Sequence, residues 1–152
     1  MTVLWHGRVP IGICVFATPA AALKLRHQFF GLKPVRDPLY LKRLNQQLWC
    51  LSRVVIHPSY RGAGLAAWFV RESCKACPVP WIETLSAMGQ LNPFFEKAGF
   101  QRVGIIRKDR PLSAKGYARI YGGGKLTEET LRKSRHAEPV YYVFDNRANH
   151  VS

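Results

Sequence analysis

The stretch Trp49–Cys77 constrains this chain more than any other. Trp49–His57 (WCLSRVVIH) is β-branched and apolar, the composition of a buried strand, and Pro58 stops it. Gly62 and Gly64 then open directly into a helical segment, Gly64–Cys77, with Leu65, Trp68, Phe69 and the aliphatic part of Arg71 on a mixed face, before Pro78 and Pro80 end it. A strand that passes through a glycine turn into a helix is an α/β unit. The glycines let the backbone turn tightly and approach a ligand closely. The turn amides and those of the first helical residues have no partner and point one way, and the helix dipole adds to them. The result is an anion site whose natural occupant is a pyrophosphate. It is not a nucleotide P-loop, since no Lys-Ser/Thr pair follows the glycines. Nor is it a dinucleotide fingerprint: the third glycine is missing, as is a ribose-binding carboxylate about 20 residues on.

Around this unit the chain reads as one α/β domain over 1–152, with a core at 3–107 and 140–145 and a basic insertion at 108–138. Val3–His6 and Ile11–Phe16 flank Gly7-Arg8-Val9-Pro10 as a hairpin, the second strand apolar on both faces and so central. The run Val9–Leu23 has the look of a secretory leader, but its basic region is Arg8 alone and Pro10 and Pro19 punctuate it; a strand followed by a helix start accounts for it better. Thr18-Pro19 predicts a helix start, with the helix running over Ala20–Phe30 to Gly31, and Leu39–Leu48 is a second helix. Further strands are expected at Trp81–Ala87, Phe100–Arg107 and Val140–Phe144, a short helix from Asn92-Pro93 to Ala98 closed by Gly99, and a capped helix over Thr127–Arg135 after the glycines 122–124.

The charge restricts the partners. Lys and Arg number 23 against 9 Asp and Glu, a formal net charge of +14. Such a field attracts a polyanion: nucleic acid, an anionic surface or a phosphate-rich cofactor. Residues 24–53 hold Lys24, Arg26, Lys33, Arg36, Lys42, Arg43 and Arg53 against Asp37 alone. Residues 102–119 hold Arg102, Arg107, Lys108, Arg110, Lys115 and Arg119 against Asp109 alone, and aromatic residues interleave. No apolar run approaches a membrane span, so no membrane partner is expected. Cys14, Cys50, Cys74 and Cys77 are too scattered for a disulfide framework, and reduced thiols in a cytoplasmic protein are expected. The lone C-x-x-C at Cys74–Cys77 lacks the second pair that zinc needs, so no metal is expected.

Arg61-Gly62-Ala63-Gly64-Leu65-Ala66, following the strand, resembles the acetyl-CoA signature of the Gcn5-related N-acetyltransferases, and Asn92-Pro93-Phe94-Phe95-Glu96-Lys97-Ala98-Gly99-Phe100 resembles the family's later motif. The resemblance covers 51–107, and the hairpin 3–16 more loosely. It implies a mixed, mostly antiparallel central sheet, flanked by helices, whose two central strands, 50–57 and 81–87, splay to admit a thioester. It implies acetyl-CoA, or another acyl-CoA, as cofactor: the amides of Arg61, Gly62, Ala63, Gly64, Leu65 and Ala66 on the pyrophosphate, the backbone of Val54, Val55 and Ile56 on the pantetheine arm, and Asn92 beside it. Two departures are plain. The family's two helices fall after the first hairpin rather than before it. The positions that often carry a general-acid Tyr and a general-base Glu hold Phe95 and Cys50. The variant pattern also resembles acetyltransferase domains fused to ABC-type ATPases, which implies an ATPase partner or a homodimer, and more distantly the phage Mu DNA-modification protein Mom.

With the customary residues gone, the candidate catalytic set is Glu83, Arg53, Ser52 and Ser86. Arg53 is a charge inside an apolar strand and must reach solvent, a phosphate or a carboxylate, and Glu83 on the neighbouring strand is the expected partner. Glu83 is also the carboxylate of the motif strands and the candidate replacement base. Ser52 and Ser86 fall on the strands expected to splay, where a hydroxyl can donate to a thioester or simply bond backbone. His57, at the strand end, suits a turn role better than catalysis. The charge beyond what CoA can use argues for a nucleic-acid acceptor, contacted through Lys42, Arg43, Arg107, Lys108 and Arg110. The function expected is therefore acyl transfer to a base amine of DNA or RNA, or to an aminoacyl-tRNA. A small amine or protein lysine as acceptor, and a non-catalytic CoA- or nucleic-acid-binding module, are the alternatives.

Overall fold

A computed structural model describes residues 1–33, 38–106 and 138–149. Its frame is a mixed six-stranded sheet. The strands β1 (Thr2–His6) and β2 (Val9–Ala17) form the expected hairpin, and two helices, α1 (Lys24–Phe30) and α2 (Pro38–Gln47), follow it. Then come β3 (Leu48–Ile56), a single 3-10 turn (Pro58–Tyr60), α3 (Leu65–Lys75), β4 (Trp81–Ser86), the short α4 (Phe94–Lys97), β5 (Gln101–Ile105) and β6 (Val140–Asp145). The sheet order is β1-β2-β3-β4-β6-β5. Every neighbouring pair is antiparallel except β3 and β4. The architecture is thus the mixed, mostly antiparallel sheet with flanking helices that the sequence leads one to expect.

The pattern of burial explains the order. Val140, Tyr141, Tyr142, Val143 and Phe144 of β6 are all buried, the mark of a strand covered on both faces, and β6 indeed lies between β4 and β5. One face of the sheet carries the main apolar cluster, where Phe69, Val70 and Cys74 of α3 meet Cys14, Ile56, Ile82 and Tyr142. Phe95 of α4 joins it, edge-on to Phe100 at 5.3 Å and against Tyr142 at 5.4 Å. α1 packs elsewhere, on Glu83, Tyr141 and the ring of Trp81, with the Phe30 and Trp81 centroids 5.1 Å apart.

Several boundaries differ from the sequence reading. The first helix begins at Lys24, with Leu23 as an extended N-cap residue whose side chain caps nothing, rather than at Ala20. The reason is tertiary: Ala20 presents its carbonyl to Nη1 of Arg26 at 2.7 Å, and Thr18–Leu23 stays non-helical. α2 passes into β3 without a loop, so Leu48 is the first strand residue rather than the last helical one. The strand expected over Phe100–Arg107 covers Gln101–Ile105. The helix expected at Thr127–Arg135, and nearly all of the 108–138 insertion, lie outside the described residues. Among the described residues no helix is long and apolar enough to cross a membrane.

Candidate functional site

The sheet is divided at its centre. β3 and β4 pair over three rungs only, Leu48 with Trp81, Trp49 with Ile82 and Cys50 with Glu83. Past that point β3 stays paired with β2 as far as Ile56, and β4 stays paired with β6 as far as Ser86, so the two halves separate while each keeps its outer partner. The last tie is a side chain: Thr84 Oγ1 donates to the Leu51 carbonyl at 2.9 Å. A β-bulge sits at the same place. Val15 pairs with Arg53 and Phe16 with Leu51, which leaves Ser52 as the extra residue of β3, its hydroxyl donating to the Val15 carbonyl at 3.0 Å. A bulge bends its strand and increases its twist, and this one sits just past the last rung that β3 shares with β4. The gap is a cleft of about 270 Å³, walled by Leu51, Arg53 and Val54 on one side and by Thr84, Leu85 and Phe94 on the other.

At the open end of the cleft, β3 runs into the glycine turn. Gly62 and Gly64 take φ of 84° and 74°, the left-handed region that other residues enter only with strain, and Gly64 is the N-cap residue of α3. A side chain built at either position would meet no atom within 4 Å, so the turn borders open space. Arg61 folds back, Nε donating to the Ile56 carbonyl at 3.0 Å, and ties the turn to the end of the strand. The eleven-residue helix that follows has no side-chain cap at its N-terminus, so its first amides lack an intrahelical or side-chain partner. Leu65 and Ala66 begin that helix, Ala63 lies in the turn, and Val54, Val55 and Ile56 form the β3 edge leading to it. Asn92 is exposed in the turn before α4.

The expected pairing of Arg53 with Glu83 is not what the structure shows. Arg53 is exposed at the cleft wall. Glu83 is 3% exposed, and its partner is Arg26, which is fully buried. Arg26 Nε and Nη2 donate to the two Glu83 oxygens at 2.8 and 2.6 Å, and the Tyr141 hydroxyl donates to Oε2 at 2.8 Å. The physical reason is position: α1 lies across β4 and β6 and brings a guanidinium to Glu83, whereas Arg53 sits beyond the bulge, where the strands have parted. Burial pushes the Tyr141 phenol up, and the Glu83 charge adds to the rise. Burial alone would pull the Arg26 guanidinium down, but the hydrogen bond and charge of Glu83 outweigh it and raise it instead. Cys50, the rung opposite Glu83, is held as a thiol, pushed up to about 11 by burial and then by the Glu83 charge.

Glu83 is accordingly an anchor. Both its oxygens are engaged, it does not line the cleft, and a base must reach the proton it takes. Of the other candidates, Ser52 lines the cleft with its hydroxyl bonded to backbone, and Ser86, the last residue of β4, pairs with Val140 and does not line it. Lys42 and Arg43 are exposed on α2, whereas Arg107, Lys108 and Arg110 lie outside the described residues. Cys74 and Cys77 are buried thiols, Cys77 donating to the Ser73 carbonyl. Arg26, Tyr141 and Thr84 escaped the sequence reading. Arg26 carried one signal, a cation within the helix Lys24–Phe30 where its neighbours Leu25, Phe29 and Phe30 are apolar.

No protein-family model matches the chain, and no curated protein matches it. Among solved structures, the chain is similar to a Bacillus subtilis acetyltransferase crystallised in complex with CoA, at 17% identity and a TM-score of 0.47, over 94% of this chain and 74% of that one.

Proposed function

We propose that this chain is an acyl-CoA-dependent N-acyltransferase of the Gcn5-related kind, transferring its acyl group directly to an amine of a nucleic acid. One observation carries the reading: a sheet parted at its centre, whose unpaired β3 edge runs on into a glycine turn and an uncapped helix N-terminus. The donor set fits the cofactor. An extended arm carrying amides needs an unpaired strand edge, and β3 beyond Cys50 offers one on its β4 side. A pyrophosphate needs converging N–H groups and room, which the Gly62–Ala66 segment supplies. From Cys50 to Ile56 the strand extends about 20 Å at the usual rise per residue, a span suited to a long linear arm. Acyl-CoA, when bound, would supply the acyl group as a reactive thioester, with CoA leaving as the thiol.

The chain's own contribution is positioning. Phe95 is packed among Phe94, Phe100 and Tyr142 and holds no proton to give. Glu83 is neutralised by Arg26. The hydroxyls on the cleft wall, Ser52 and Thr84, both donate to backbone carbonyls; in this reading the wall orients the reactants, and rate enhancement rests on proximity. Support for a nucleic-acid acceptor is the charge: Asp37 is the sole carboxylate before Glu72, while Lys24, Lys33, Lys42, Arg43 and Arg53 are spread over the same span.

The reading is tested by calorimetry with CoA on the native chain, Gly64→Ala and Gly64→Glu. Both variants strain the turn, but only the second adds a carboxylate. Binding that survives in the first and vanishes in the second supports the site; equal binding by native chain and Gly64→Glu removes it. Mass spectrometry of nucleosides from DNA and RNA incubated with acetyl-CoA and the protein then tests the acceptor. An unmodified pool, with turnover on amines or lysine peptides, would replace the nucleic acid by those acceptors.

A further inference from the structure

Beyond the glycine turn, on the side away from the cleft, lies a group of polar rings that the reading above does not use. His6 ends β1, and it lies at the same end of the sheet as Ile56, because Gly12 of β2 pairs with Ile56 while His6 pairs with Val9. The ring of Tyr60, in the 3-10 turn, is met edge-on by two histidines, His6 at 5.6 Å and His57 at 5.9 Å between centroids. His6 Nδ1 and the Tyr60 hydroxyl are hydrogen-bonded at 2.6 Å. His57 Nδ1 accepts from the Ser59 amide at 3.3 Å. Both histidines are exposed. In each ring Nδ1 is engaged, which leaves Nε2 for an outside partner. Because His57 Nδ1 is an acceptor, its ring proton sits on Nε2 and makes that atom a donor. The same holds for His6 when Tyr60 donates to it. Arg61 directly follows this turn, and Arg8 follows Gly7 in the hairpin turn beside His6.

We propose that His6 and His57, held apart by Tyr60, bind the ribose 3′-phosphate of the CoA nucleotide and make the protein discriminate CoA from dephospho-CoA. The proposal rests on the acyl-CoA reading and extends it to the nucleotide end. The chemistry is that of a terminal phosphate: two N–H donors on either side of one ring and two guanidinium side chains next to them in sequence. No carboxylate lies in the sequence before Asp37, nor between Asp37 and Glu72, so no acid of β1, β2, β3 or the turn opposes an anion. Tyr60 and Arg61 directly precede Gly62, so a polyphosphate with its pyrophosphate on the Gly62–Ala66 amides would bring its sugar toward these rings if it led away from the cleft.

Calorimetry with CoA and with dephospho-CoA separates this proposal from the reading on which it rests. The native chain should bind CoA about tenfold or more tighter, the value of a charge-assisted hydrogen bond or two. In His6→Ala combined with His57→Ala the two affinities should converge, through loss of CoA affinity alone. Tyr60→Phe, which removes the hydroxyl that fixes His6, should fall between. If the native chain binds both ligands equally, or if the double variant weakens both by the same factor, the histidines do not read the phosphate and the proposal is overturned, while the cofactor site stands. If the native chain binds neither, both fall together.

Discussion

Burying a carboxylate is costly, and Glu83 shows how the chain meets that cost: two guanidinium donors and a phenol take up its oxygens. Removing one partner strands the other. Glu83→Gln leaves Arg26 charged and enclosed, and should cost about 3–5 kcal/mol in a urea titration, with CoA affinity of the folded chain unchanged. Arg26→Met joined to Glu83→Leu should recover most of that loss, whereas loss of turnover without loss of stability in Glu83→Gln would restore the residue to a role in proton transfer. Gly89 makes a second case. A side chain there would lie 2.8 Å from Val140 Cβ and 2.9 Å from the Tyr142 hydroxyl, so Gly89→Ala should destabilise by about 1–3 kcal/mol on packing grounds alone. The glycines of the turn were legible in the sequence because backbone geometry is a local matter. The partner of Glu83 was not, because it depends on where α1 lies across the sheet.

Among elements, the strand–turn–helix unit and the hairpin were read from local pattern, and each lies within a residue or two of its expected place. α1 starts four residues later than Thr18-Pro19 suggests, because tertiary structure overrides that helix start: the carbonyl of Ala20 accepts from Arg26. The parting of β3 and β4 was an expectation from resemblance. The bulge at Ser52 and the Thr84 tie that mark where the strands part carry no sequence signal, since a serine or threonine in a strand is ordinary. Thr84→Val keeps the shape and deletes the donor. It should cost about 1 kcal/mol and speed hydrogen exchange at Leu51–Val54, leaving exchange in β6 unchanged. Uniform acceleration would mean that Thr84 supports the fold rather than the fork.

For the molecule as a whole, charge and burial set the response to solution conditions. If the acceptor is a nucleic acid, affinity should fall with salt by a slope of about one log unit for each phosphate contacted, and Lys42→Ala with Arg43→Ala should flatten that slope without altering CoA binding. A slope unchanged by the double substitution would move the interface off α2. Burial holds the thiols of Cys50 and Cys77 up to about 11 from an ordinary value of 9.0, and it raises Tyr141 and Cys74 as well. Groups raised in the folded state favour folding below their unfolded values and withdraw that support as pH climbs through the folded ones. Stability should therefore be flat up to about pH 9 and fall between about 9 and 11, followed by circular dichroism. At pH 8 the thiolate fraction of Cys50 is on the order of a thousandth, so alkylation by iodoacetamide should be slow until the chain unfolds.

The parted sheet also bears on how long such a molecule survives. Two half-sheets joined by three rungs and one hydroxyl have a seam, and partial openings that expose backbone to proteases begin where a structure has least to break. Any ligand that binds the native gap and not the unfolded chain stabilises the native state by an amount that grows with the logarithm of its concentration. Where opening and reclosing are fast compared with cleavage, degradation follows the population of the open form. The lifetime of this protein would then track the supply of any compound that fills its sheet, with no change in its synthesis.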